Sequence, residues 1–119
     1  MFGLKDERNL TMLTDFYELT MANGYLQKKM GDTEVVFDMF FRRIPDGGGY
    51  AVFAGLAQMM EYLDNLRFSE EDVAFLRTKK TFSEEFLDYL LHFQFCCDIW
   101  AVKEGTPIFP REPIVVVKG

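Results

Sequence analysis

The chain has 119 residues, which leaves room for one domain around one modest core and excludes a second catalytic domain. Hydrophobic residues make up 49% and aromatics 16%, with 13 Phe, so the apolar area drives collapse and a disordered chain is excluded. The net charge is −6 and no basic run exceeds Arg42-Arg43 or Lys79-Lys80. A generic nucleic-acid surface is therefore disfavoured, since phosphate binding needs clustered positive charge, while a local anion pocket stays open.

The apolar stretches are too short to cross a bilayer, and the start, Met1-Phe2-Gly3-Leu4-Lys5-Asp6-Glu7-Arg8, lacks the basic-then-apolar plan of a signal peptide. No membrane partner and a cytoplasmic protein are expected. Cys96 and Cys97 are adjacent, which argues against both a disulfide framework and a metal site.

In chain order, Leu13, Phe16, Tyr17, Thr20, Met21 and Gly24 recur at the spacing of one helical face, and this face is expected to pack on the core. Thr14 or Asp15 supplies the N-cap, and Glu18 completes a capping box with Asp15, giving a helix from about Asp15 to Lys29. Gly31-Asp32 breaks it. Glu34 to Arg43 reads as a strand with Val35, Phe37, Met39 and Phe41 on one face and Val36 and Phe40 on the other, so both faces are expected to be covered.

Pro45-Asp46-Gly47-Gly48-Gly49 is a loop, followed by a helix marked by Leu56, Met59, Met60 and Leu63. Ser69 before Glu70-Glu71-Asp72, and Ser83 before Glu84-Glu85, announce two more helices, each with a hydroxyl cap and acids in the first turn. Phe68 with Val73, and Phe82 with Leu87, stand at the two positions of a hydrophobic staple. From Asp98 the chain is extended: Ile99 to Val102, a Glu104-Gly105 turn, Ile108-Phe109, and a final run Ile114 to Lys118. Ending on that β-prone run would leave an unguarded edge, so truncation is expected. Clustered helices between separated strands, without βαβ alternation, predict an α+β fold with an antiparallel sheet holding the Val35–Arg43 and Ile99–Val102 strands.

The catalytic inventory is thin. His92 has no Ser or Cys at a triad spacing and reads as structural or surface-exposed, and Cys96 and Cys97 read as small buried hydrophobes. The Gly47-Gly48-Gly49 loop lacks Walker A spacing, so a tight turn is favoured over a phosphate cradle. Arg42 and Arg43 precede it and must point to opposite faces, so at most one serves the same pocket. Tyr17 is either a core residue or an exposed stacking platform, and spacing alone favours the core.

Read together, Leu13 to Ala22, Phe37 to Arg43, Gly47 to Leu56, Phe86 to Leu90 and Glu104 to Pro113 resemble the opening of nicotinate phosphoribosyltransferases, over about Leu13 to Gly119. The resemblance implies the amino-terminal α/β sandwich domain of a type II phosphoribosyltransferase, with residues 1–119 as a single domain and the catalytic barrel expected after Gly119. It implies transfer of the phosphoribosyl group of phosphoribosyl pyrophosphate to nicotinate with magnesium, giving nicotinate mononucleotide and pyrophosphate, coupled to ATP hydrolysis.

The phosphorylated histidine and the pyrophosphate-binding basic residues of that family belong to the barrel, so this portion carries no catalytic residue, metal or cofactor of its own. Tyr17 matches the tyrosine that stacks on the nicotinate ring in a site completed by a neighbouring subunit, which implies a homodimer. Thr14, Asp15, Arg42 and Gly48 are expected as supporting residues. Cys96-Cys97 and Lys103 depart from the family's usual pattern. A nicotinamide or quinolinate phosphoribosyltransferase domain and a free-standing dimerisation module are the alternatives.

Overall fold

A computed structural model describes residues 9–119, so the segment Met1 to Arg8 lies outside the described residues. The elements are α1 (Phe16–Gln27), β1 (Val36–Met39), β2 (Ala51–Val52), α2 (Leu56–Asp64), α3 (Glu70–Thr78), α4 (Glu84–Leu91), β3 (Asp98–Ala101), β4 (Pro107–Ile108) and β5 (Val115–Lys118). The fold is α+β with antiparallel sheets, as the clustering of helices between strands predicts. Two compact units emerge: one holds α1, the end of α2, α3 and α4, and the other holds the strands and the first turns of α2.

The helical unit forms because three helix starts are chemically specified. Asp15 caps α1, and the Glu18 half of its capping box is a 3.2 Å bond from the Asp15 N–H to Glu18 Oε2. Ser69 Oγ accepts from the Asp72 N–H at 3.1 Å while Asp72 Oδ2 accepts from the Ser69 N–H at 2.8 Å. Ser83 Oγ accepts from the Phe86 N–H at 3.1 Å. Leu19, Val73, Leu76, Phe86, Leu87 and Leu90 then form the core, with the staple residues Phe68 and Phe82 packed on it. Buried Asn23 joins α1 to α4: its Oδ1 accepts from both the Ser83 N–H and the Ser83 hydroxyl, at 3.2 and 3.1 Å.

In the second unit β5 runs between β1 and β3, antiparallel to both, with Phe37, Val117 and Ile99 in register. The sequence expectation that the final strand is an unguarded edge is therefore wrong. It is the central strand, and the edges are β1 and β3. Phe53, Ile108, Ile114 and Val115 form this unit's core, which Leu56 and Met59 of α2 help cover.

The expectation that both faces of β1 are covered also fails, since Val36, Phe37, Met39 and Phe40 are all exposed and only Phe41 packs on the core. The cause is β1's edge position beside a small core centred on β5. Glu104 organises the start of α2: its carboxylate accepts from the N–H groups of Gly55 (3.0 Å), Leu56 (2.6 Å) and Ala57 (3.4 Å). These are donors that a helix start leaves without intrahelical partners.

Candidate functional site

Tyr17 sits in the first turn of α1. The stripe expected to pack on the core is in fact the outward one. Leu13 is 81% exposed, Tyr17 60%, Met21 48% and Tyr25 47%, an apolar row at intervals of four residues. The core face is carried instead by Leu19, with Met12, Ala22 and Leu26 against it. Both rows fit a helical period, so the spacing of Leu13, Phe16, Tyr17 and Met21 could not decide which faced in. Leu13 and Met21 of that stripe do not pack on the core. Phe16 does so in part, meeting Phe82 edge-on with ring centroids 5.5 Å apart.

Around Tyr17 the backbone is well fixed. The Thr20 hydroxyl donates to the Tyr17 carbonyl at 3.0 Å. Glu18 accepts from the Thr14 hydroxyl as well as from the Asp15 N–H. Leu13, Thr14, Asp15 and Glu18 line a shallow open hollow at this helix start. Thr14 and Asp15 precede Tyr17 in the chain, and their polar groups are engaged in starting the helix. The hollow carries two carboxylates, Asp15 and Glu18, whose charge disfavours an anionic group within it. Glu18 was legible only as a cap, and its bond to Thr14 has no separate sequence signal.

Arg42 and Gly48 belong to the other unit. Arg42 is exposed, and no ion pair joins it among the described residues. Gly48 lies just after a short 3₁₀ turn, Pro45–Gly47, and its N–H donates to the Pro45 carbonyl at 3.3 Å. A Cβ at Gly48 would stand 2.9 Å from Ile44 Cγ2, so close packing of the turn accounts for this glycine.

His92 is exposed, with Nδ1 2.9 Å from the Asp88 carbonyl oxygen. Cys96 is exposed and Cys97 partly exposed, which corrects the expectation of two buried hydrophobes. The reason is their place in the connection between α4 and β3, outside both cores.

Residues 12–119 match the family model for the nicotinate phosphoribosyltransferase N-terminal domain. The chain belongs to the nicotinate phosphoribosyltransferase family. Among similar relatives, nicotinate phosphoribosyltransferase pncB2 of Mycobacterium tuberculosis is 47% identical over 104 residues, covering 87% of this chain and 22% of the relative. The Bacillus subtilis nicotinate phosphoribosyltransferase is 38% identical over 118 residues, covering 99% of this chain and 24% of the relative.

The crystal structure of human nicotinic acid phosphoribosyltransferase superposes with a TM-score of 0.77 at 34% identity, over 89% of this chain and 22% of that one. The chain thus spans about a quarter of the length of the nicotinate phosphoribosyltransferases it matches. The α+β architecture expected for the amino-terminal domain agrees with that human neighbour. No helix among the described residues is long and apolar enough to cross a membrane.

Proposed function

We propose that the chain is the amino-terminal portion of an enzyme that makes nicotinate mononucleotide and pyrophosphate from nicotinate and phosphoribosyl pyrophosphate, with coupled ATP hydrolysis, as a cytoplasmic homodimer. In this reading Tyr17 is one face of a nicotinate clamp completed by a neighbouring subunit. The observation that carries it is the exposure of Tyr17 in a turn whose polar groups are already bonded to one another, within a chain of this family. A ring that contributes nothing to the core is free to stack on a ligand.

Magnesium and ATP, which the family resemblance implies for the whole enzyme, would be held outside this domain. Among the described residues no group of three or more His, Cys, Asp or Glu could hold a metal ion. In this reading the isolated chain is inert, because phosphoribosyl transfer needs a clamp on the diphosphate and stabilisation of the developing cationic sugar, which the whole enzyme supplies. Nicotinate, nicotinamide and quinolinate are offered separately to the full-length protein with phosphoribosyl pyrophosphate, and in parallel to the 119-residue chain. Turnover of nicotinate by the full-length protein alone is expected. Turnover of another pyridine in its place, or by the short chain, would contradict the reading.

A further inference from the structure

Only two residues of α1 are fully buried, Leu19 and Asn23. Leu19 is an ordinary core residue. Asn23 is a polar side chain on the same inward face, one turn further on. Its Oδ1 accepts from the N–H and the hydroxyl of Ser83 at 3.2 and 3.1 Å, while the Ser83 oxygen accepts in turn from the Phe86 N–H at 3.1 Å. The helix that carries Tyr17 is therefore hydrogen-bonded to the residue that starts α4. Phe82, the residue before Ser83, meets Phe16 on the first turn of α1.

Burial does not by itself choose which side of α1 faces in. Met12, Leu19 and Leu26 lie on the inward side, and Leu13, Tyr17 and Met21 make an apolar row on the other. Either row could cover the core, and Tyr17 does not forbid it, because a tyrosine can bury its ring while its hydroxyl reaches water. What separates the two orientations is directional. Turning the outward row in would take Asn23 off Ser83 and leave the Ser83 N–H and hydroxyl without their acceptor. One buried asparagine can select a single register among apolar packings that are otherwise nearly equal.

We propose that Asn23 is a positioning residue for Tyr17: its bonds to Ser83 set which apolar row of α1 turns outward, and so present the Tyr17 ring. The use of that ring as a nicotinate clamp rests on the function proposed above, whereas the orientation of the helix does not.

The test is limited iodination of the 119-residue chain, with the extent at each tyrosine read by peptide mass spectrometry and exposed Tyr50 of the strand unit as the reference. Asn23→Leu keeps the size of the side chain and removes its directional bonds, and Asn23→Ala is read alongside in case leucine is not accommodated. Each variant is compared below its melting temperature. Iodination of Tyr17 relative to Tyr50 should fall by about twofold, the value for two equally populated orientations of α1. Adding Met21→Lys, which makes the outward row polar, should restore it without Asn23. The proposal is overturned if Tyr17 in the folded Asn23 variants is iodinated as fast as in the unaltered chain or faster, or if Met21→Lys fails to restore the rate. In the full-length enzyme Asn23→Leu should also raise KM for nicotinate and leave that for phosphoribosyl pyrophosphate alone. Slowed iodination with an unchanged nicotinate KM would uphold the orientation and contradict the clamp.

Discussion

Replacing Glu104 by alanine strips three N–H groups of their acceptor, those of Gly55, Leu56 and Ala57 at the start of α2. Losing a side-chain cap costs about 0.5–2 kcal/mol, and losing a negative charge at a helix start about 0.3–1 kcal/mol. Glu104 is exposed, so water re-solvates part of what is lost, and the expected cost is about 1–2 kcal/mol. For a chain of this size that lowers the melting temperature by roughly 4–8 °C.

Glu104→Gln keeps an acceptor oxygen and gives up only the charge, so its loss should be about a third as large and should shrink in high salt. Trp100, the sole tryptophan, lies on β3 in the same unit, so its fluorescence follows the unfolding that matters. If Glu104→Ala melts within about 1 °C of the unaltered chain, the carboxylate is not organising α2 and the capping argument fails.

Phe86, about 1% exposed at the centre of the helical core, should cost about 3–5 kcal/mol when replaced by alanine, read from urea unfolding, and a cost below about 1 kcal/mol would contradict its central place. Asn23→Ala should cost about 1–3 kcal/mol, because the Ser83 N–H and hydroxyl lose a buried acceptor, and a neutral result in the same assay would remove the α1–α4 tie. The Arg77 guanidinium, mainly through its hydrogen bonds, holds the Glu84 carboxyl below its ordinary value of 4.5. That contribution is present above the ordinary value and lost as pH falls through the lowered one, so Glu84→Gln and the unaltered chain should differ in urea midpoint near neutral pH and converge in acid. A difference that persists in acid would contradict the sign.

The helix starts at Asp15, Ser69 and Ser83 were legible because capping is local chemistry written in three or four adjacent residues. That the β1 and β3 regions belong to one sheet of antiparallel pairs was legible from the order of elements. Which strand stood between them was not, because a run such as Val115-Val116-Val117 suits a central strand as well as an edge. The inward face of α1 was not legible either. With Met12, Leu19, Ala22 and Leu26 on one side and Leu13, Tyr17, Met21 and Tyr25 on the other, the helix is apolar nearly all round, and periodicity has no polar face to orient it. The error bears on Tyr17, which spacing alone assigned to the core and the structure leaves exposed. Glu104 went unnoticed as a cap because it lies about fifty residues from the helix it serves.

The proposed role of Tyr17 is tested most directly by steady-state kinetics of the full-length enzyme carrying Tyr17→Ala, with nicotinate and phosphoribosyl pyrophosphate varied separately and thermal unfolding as the control. Because the ring is largely exposed, the melting temperature should not move. Aromatic stacking is worth about 0.5–1.5 kcal/mol beyond the area it buries, so KM for nicotinate should rise by roughly tenfold while that for phosphoribosyl pyrophosphate changes little. An unchanged KM and kcat for nicotinate in a folded Tyr17→Ala enzyme would contradict the nicotinate clamp.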